Sequence, residues 1–147
     1  MRKKAGKKGF TVIELLIVMA IMAILYTIAA FYITGLQNEA RTAKANGDLK
    51  VLQLALNTYQ KNKGECPAEE NYQATLILSS PRILEGNLKD PYGETPSTLY
   101  RYDVSDNGRF YVAYSVGPNR NGFASVGDEG NVLIEGAAII STNGYID

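Results

Sequence analysis

The sequence has no histidine and a single cysteine among its 147 residues. Without histidine there is no imidazole to act as general acid or base or to join a zinc site. Cys66 cannot form a disulfide within its own chain, and with no histidine to activate it we expect it to be structural. Carboxylates such as Asp103 and Asp106 lie on a predicted hairpin and its turn, so we expect them to form the turn and solubilise it. The sequence therefore predicts a protein that is not an enzyme.

Basic residues are scarce beyond the N-terminus. Five of the fifteen lysines and arginines lie in the first eight positions, which leaves ten basic residues against fifteen acidic ones in the rest of the chain. This balance provides no broad cationic surface, so nucleic acid is not an expected partner. Charge is also nearly absent from residues 10–33, where Glu14 is the only charged side chain.

Residues 10–33 form one long apolar run. As a helix rising about 1.5 Å per residue, the run is roughly 36 Å long, enough to cross a hydrocarbon core of about 30 Å. It contains neither proline nor glycine, so each backbone polar group can be paired within one helix, as the bilayer requires. The preceding lysines are expected to remain cytoplasmic, which places the rest of the chain on the outer side of the membrane.

A cleaved secretory signal peptide is the alternative interpretation of this N-terminus. The apolar run is longer than the usual signal core of about 7–15 residues. Glu14 also argues against it, because a carboxylate within a bilayer costs up to about 3 kcal/mol at the centre, less near an interface, and so calls for a partner. If the chain were cut after Gly9, the new amine of Phe10 on a neighbouring copy would be able to pair with Glu14.

The string KKGFTVIELLIVMAIMAIL resembles the N-terminal signal of type IV pilins and of the pseudopilins of type II secretion. The resemblance implies that residues 1–9 are a leader peptide, that a prepilin peptidase cuts between Gly9 and Phe10, and that the Phe10 amine is methylated. It also implies that Glu14 aids assembly into a filament. The chain would then be a single-pass inner-membrane protein with a cytoplasmic N-terminus and a periplasmic head, and after assembly a periplasmic or cell-surface filament.

An amphipathic pattern follows in residues 34–64, and together with the apolar run it predicts one helix from about Thr11 to about Lys61. Lys63 and Gly64 are typical of a helix end, and Pro67 prevents continuation. The apolar stripe is predicted to comprise Leu36, Ala40, Ala43, Gly47, Val51, Leu52, Leu54, Ala55, Leu56 and Tyr59.

Residues 65–147 are predicted to form a globular head. A short helix is expected near Tyr72–Leu78. The strands TLYRYDV and RFYVAYSV flank an Asn107-Gly108 pair that favours a type I′ hairpin turn. A third strand is expected within Asn131–Glu135 or Ala137–Ser141, giving a small antiparallel sheet that packs on the helix. The fold class is thus α+β and pilin-like.

Residues 115–131 are predicted to form a long glycine-rich loop. Its oxygen-bearing side chains are the hard ligands that calcium prefers, although a simple solvated loop fits the same residues. The segments KDPYGE (residues 89–94) and YSVGPNRNG resemble the G-type major pseudopilin of type II secretion, with Tyr92 in place of a tryptophan, Asn119 in place of an aspartate and Arg120 in place of a glycine. The resemblance implies a calcium site, for which we select Ser115, Asn119 and Asp128.

The leading hypothesis is therefore a structural subunit of a type II secretion pseudopilus that promotes protein export across the outer membrane. Its expected partners are copies of itself, prepilin peptidase, other pseudopilins or pilins, the inner-membrane assembly platform and membrane lipid. A type IV pilin, major or minor, for adhesion, motility or DNA uptake is the first alternative. A monomeric binding module tethered by residues 10–33 is the second, and it leaves Glu14 without a role.

Overall fold

The computed structural model describes residues 9–146, apart from the side chains of Phe31 and Thr34. Of the predicted leader only Gly9 lies among the described residues. The chain divides into two compact units, Met1–Gln37 and Asn38–Asp147. The elements are α1 (Val12–Lys63), α2 (Tyr72–Leu78), β1 (Arg101–Val104), β2 (Tyr111–Ser115), β3 (Phe123–Val126), β4 (Asn131–Glu135), β5 (Ile139–Thr142) and β6 (Tyr145–Ile146). A long N-terminal helix with small, mainly antiparallel sheets confirms the predicted α+β, pilin-like fold.

The first unit consists of the N-terminal part of α1. This helix is long and apolar enough to cross a membrane, and its most apolar stretch has no buried residue. Large apolar side chains such as Ile13, Leu16 and Met22 are more than half exposed. A surface of this kind is stable in lipid or against other apolar helices, not in water.

In the second unit, α1 buries one face against the head. Ala45, Leu49, Leu52 and Leu56 are almost completely buried, and they recur every three or four residues, as one face of a helix requires. The predicted stripe was partly wrong. Six of its ten residues are exposed, and the buried Ala45 and Leu49 were not on it. The exposed six are Leu36, Ala40, Ala43, Gly47, Val51 (49%) and Leu54 (71%).

The C-terminal end of α1 follows the predicted chemistry. The helix ends at Lys63, and Gly64 adopts a positive φ of 88° while its N–H donates to the Gln60 carbonyl at 2.7 Å. Glycine accepts this left-handed conformation without steric cost. The chain then turns back so that Cys66 and α2 pack on the buried face of α1.

The first sheet has the strand order β1-β2-β5, and both pairs are antiparallel. Its Tyr102, Tyr111 and Ala113 form the main core with α1 and α2, whereas its Val112 and Tyr114 belong to a second buried cluster with residues of β3 and β4. The hairpin is confirmed, but the type I′ turn was wrong, since Gly108 has a positive φ and Asn107 does not. The Gly108 N–H donates to the Ser105 carbonyl, so Asp106 and Asn107 are the central residues and Gly108 is the left-handed residue of a longer loop.

The second sheet has the order β3-β4-β6, with β3 antiparallel and β6 parallel to β4. Strand β3 lies inside the segment that we predicted to be irregular. It was missed because its inward side chains, Ala124 and Val126, give a short and weak alternation between glycine-rich turns. Both candidate segments for a third strand are strands, as β4 and β5.

Candidate functional site

The N-terminus of α1 holds the only acidic residue of the apolar segment in a local arrangement. The Glu14 carboxylate accepts hydrogen bonds from the Thr11 N–H at 2.9 Å and from the Thr11 hydroxyl at 2.8 Å. The Glu14 N–H donates to the Thr11 hydroxyl oxygen at 3.3 Å. This reciprocal pairing is a capping box, which satisfies helix N–H groups that have no carbonyl partner of their own.

The capping box gives Glu14 a partner that the sequence interpretation missed. The pattern Thr11-x-x-Glu14 is visible in the sequence, but we considered only an amine as the partner of the carboxylate. Gly9 and Phe10 precede the box and are exposed, Phe10 by 85%. Both residues of the predicted cleavage site are therefore exposed in the described part of the chain, and cleavage between them stays a prediction.

The head has a buried carboxylate at Asp90, within the KDPYGE segment. Asp90 is 5% exposed. One of its oxygens accepts the Tyr92 N–H at 2.9 Å and the Ser115 hydroxyl at 2.6 Å, and the other accepts the Val116 N–H at 3.1 Å. A buried charge is tolerable only when it is paired in this way. Asp90 therefore fastens this segment to the end of β2.

Tyr92 connects the same segment to α1. Its hydroxyl donates to the Asn38 carbonyl at 3.0 Å and lies 2.7 Å from the Thr42 hydroxyl. The next residue has to be small, because a Cβ on Gly93 would lie 2.4 Å from the Cβ of Thr98. Tyr92 thus anchors the segment on α1, and Gly93 leaves room for the side chain of Thr98.

The residues selected for calcium are not gathered in one place. The hydroxyl of Ser115, the last residue of β2, donates to Asp90. The Asp128 carboxylate accepts the Asn107 N–H at 2.9 Å, in the turn before β2. Strand β2, about 13 Å long at roughly 3.3 Å per residue, lies between these two positions, and Asn119 is exposed in a turn that follows β2.

The donor set does not fit calcium in this arrangement. Within residues 9–146 no group of three histidine, cysteine, aspartate or glutamate side chains is placed to hold a metal ion. Calcium requires six to eight oxygens around one point, whereas Ser115 and Asp128 are each committed to a different neighbour. Calcium binding by this chain stays a prediction.

Arg120 has an uncommon backbone conformation. Its φ is 54°, in the left-handed region, and its N–H donates to the Gly117 carbonyl at 3.0 Å. A residue with a side chain costs about 1–2 kcal/mol in this region, and glycine does not have this cost. The turn geometry thus explains why the resemblance places a glycine at this position.

Cys66 lies in a cluster of buried tyrosines. Tyr72 stacks on Tyr102 with ring centroids 4.4 Å apart, and Tyr102 stacks on Tyr111 at 6.2 Å. The hydroxyls of Tyr72 and Tyr102 donate to the carbonyls of Tyr100 and Pro67. Burial raises the pKa of the Cys66 thiol to about 11, so the thiol is protonated and unreactive at neutral pH. This geometry agrees with a structural cysteine.

Comparison with known proteins gives two matches that agree with the resemblance drawn from the sequence. Residues 4–30 match the family model described as the prokaryotic N-terminal methylation motif. The chain is also 28% identical over 75 residues to the type II secretion system core protein G of Klebsiella michiganensis, a match that covers 51% of this chain and 53% of the relative. The chain thus spans about half the length of that relative. No solved structure matches significantly.

Proposed function

We propose that this chain is a structural subunit of a type II secretion pseudopilus, a filament that promotes protein export across the outer membrane. The observation that supports this proposal most is that a methylation motif over residues 4–30 coincides with an apolar part of α1 in which no residue is buried. The similarity to a type II secretion core protein G supports the same assignment. The proposed role is structural and not catalytic.

Processing of the N-terminus precedes assembly. Prepilin peptidase cuts the exposed bond between Gly9 and Phe10, and the new Phe10 amine is methylated. The chain remains in the inner membrane through residues 10–33, with the head in the periplasm. Other pseudopilins and the assembly platform then extract it into a filament, where the apolar helices cover one another and leave the lipid.

Glu14 selects the register in which neighbouring helices pack during assembly. In a single chain its carboxylate is satisfied by Thr11. In an apolar bundle, the amine of a neighbouring Phe10 provides an opposite charge, and a charge pair in low dielectric is much stronger than the same pair in water. A register that separates the two charges is disfavoured, because it leaves a carboxylate buried without an opposite charge.

Two substitutions separate assembly from helix capping. Glu14→Leu is expected to abolish filaments, because it removes the charge that selects the register. Thr11→Val removes the capping hydroxyl, costs about 1 kcal/mol of helix stability, and is expected to leave filaments present. Electron microscopy and sedimentation of the full processed chain provide the readout.

Equal filament yields for wild type and Glu14→Leu would contradict the assembly role. Equal loss in both variants would show that Glu14 acts only through the cap. A type IV pilin for adhesion, motility or DNA uptake is the alternative function, since the methylation motif is common to both classes. Neighbouring genes for a secretin and other pseudopilins favour secretion, and a retraction ATPase favours pili.

A further inference from the structure

The loop between β2 and β3 is closed by hydrogen bonds within the chain. Residues 116–122, here called the β2–β3 loop, leave the first sheet at Val116 and lead into β3 after Gly122. The Gly122 N–H donates to the Val116 carbonyl at 2.9 Å, and the Val116 N–H donates to the buried Asp90 carboxylate at 3.1 Å. The two ends of the loop are therefore joined to each other and to Asp90 by the protein itself.

The turn between β4 and β5, residues 136–138, lies directly against the β2–β3 loop. A Cβ added to Gly117 would lie 1.8 Å from the Ala137 carbonyl oxygen. A Cβ added to Gly122 would lie 2.6 Å from the N and Cα atoms of Ala138. These neighbours are backbone atoms, which cannot turn aside as the end of a flexible side chain can. The two segments are thus packed backbone on backbone, at a separation that only glycine allows.

Asn121 adds a side-chain contact between the same two segments. Its side-chain oxygen accepts the Ala137 N–H at 3.4 Å, and its backbone oxygen lies 2.4 Å from the place where a Cβ on Gly136 would be. Calcium would need oxygens of this kind. The side-chain oxygen of Asn121, like those of Ser115 and Asp128, already has a partner within the protein.

The charge around the β2–β3 loop is also unfavourable for a divalent cation. Residues 115–127 contain no carboxylate, and their single charged side chain is that of Arg120. The cleft beside the loop is lined by three cationic side chains and two carboxylates, those of Lys44, Lys89, Arg120, Asp90 and Glu94. Because the affinity of a protein site for calcium depends on its number of negatively charged ligands, these surroundings favour no calcium ion.

We propose that the β2–β3 loop is held by these contacts of the chain with itself, and that the head reaches its full stability without a bound divalent cation. The backbone contacts with residues 136–138 take the place of an ion that would join distant loop oxygens. This inference does not rest on the proposed function, and it differs from the calcium site that the resemblance implies. Calcium in the medium is therefore expected to have no effect on the stability of this subunit.

Thermal melting of the full chain in detergent, followed by circular dichroism, provides the first test. The melting temperature is measured in a calcium chelator and in millimolar calcium, with millimolar magnesium as the control for ionic strength. We expect the three values to agree within about 1 °C, because an ion that does not bind the folded state does not stabilise it. A calcium site filled at about 100 times its dissociation constant would raise the melting temperature by at least about 5 °C. A rise that is specific to calcium would overturn the inference.

A pair of glycine variants tests the contacts themselves. Gly122→Ala places a Cβ against the backbone of Ala138, whereas the Cβ position of Gly86, leaving aside its chain neighbours, has no described heavy atom within 4 Å. Neither glycine has a left-handed φ, so Gly86→Ala is the matched control.

Gly122→Ala is expected to lower the melting temperature by at least about 3 °C, or to abolish the transition, in chelator and in calcium alike. Gly86→Ala is expected not to lower it, because alanine there meets no neighbour and reduces the freedom of the unfolded chain. A wild-type melting temperature for Gly122→Ala, or its recovery in calcium, would overturn the inference.

Discussion

At the residue scale, Asp90 has the most demanding environment in the head. Its carboxylate is buried and accepts three hydrogen bonds, from two backbone N–H groups and one hydroxyl. The donors lie two, 25 and 26 residues away in the sequence. The sequence analysis identified the KDPYGE segment but not the role of its aspartate, because distant partners of this kind leave no local pattern.

Asp90→Asn is expected to lower the free energy of unfolding by about 2–3 kcal/mol. The substitution replaces one carboxylate oxygen by an NH₂ group, which cannot accept the hydrogen bond that this oxygen accepts from a neighbouring N–H or hydroxyl. Urea denaturation followed by circular dichroism measures the change. Asp128→Asn is the matched control. It is expected to stay within about 0.5 kcal/mol of wild type, because the side chain is exposed and an amide oxygen can still accept the Asn107 N–H. Equal effects of the two substitutions would contradict the anchoring role of Asp90.

A substitution at Arg120 is expected to raise the free energy of unfolding. Arg120→Gly is expected to stabilise the protein by about 1 kcal/mol, because glycine relieves the cost of the left-handed backbone. Asn119→Gly is the control. Because Asn119 has no positive φ, glycine relieves no strain there and only raises the conformational entropy of the unfolded chain, which lowers stability. Melting temperatures of the two variants are expected to move in opposite directions, and a lower melting temperature for Arg120→Gly would contradict the strain assigned to this turn.

At the scale of elements, the sequence correctly predicted the helix bounds that depend on local residue patterns. Helix α2 has the predicted bounds, Tyr72–Leu78, and the end of α1 follows from Gly64. The buried face of α1 was partly misassigned because α1 has apolar residues on opposite faces, and spacing alone does not tell which face meets the head. Strand β3 and the turn type depend on pairing with β4 and on the backbone of Asn107, which short patterns specify weakly.

The tyrosine cluster predicts how the head responds to alkali. Burial raises the pKa values of Tyr72, Tyr100, Tyr102 and Tyr111 above their usual range, and that of Cys66 to about 11. The folded head keeps these protons at pH values where the unfolded chain, with ordinary values of about 8.5 for cysteine and 10 for tyrosine, has released them. Stability is therefore full below about pH 8.5 and falls as the pH rises above it.

Urea midpoints measured between pH 8 and pH 11 test this expectation. The midpoint is expected to decrease with rising pH, and tyrosinate absorbance is expected to increase together with unfolding. Cys66→Ala serves as the control, since it removes the thiol contribution and leaves that of the tyrosines. A midpoint that stays constant to pH 11 would contradict the burial of these hydroxyls.

At the scale of the whole molecule, function depends on surfaces that a single chain leaves uncovered. The apolar part of α1 has no partner within the described subunit, whereas the head has a buried core of its own. Selection of Gly9, Phe10 and Glu14 was possible because the N-terminal motif is contiguous in sequence. The residues predicted to bind calcium belong to one segment of the sequence, but Ser115 and Asp128 lie near opposite ends of β2. The melting temperature of the full chain in millimolar calcium tests whether calcium binds.

Processing after Gly9 and assembly into a filament are the two steps on which the proposed function depends. Intact-mass spectrometry of the subunit recovered from a sedimentable filament fraction of native cells tests it most directly. We predict a chain that begins at Phe10 and has one added methyl group. A subunit that retains residues 1–9, or a filament fraction that lacks this chain, would contradict the account.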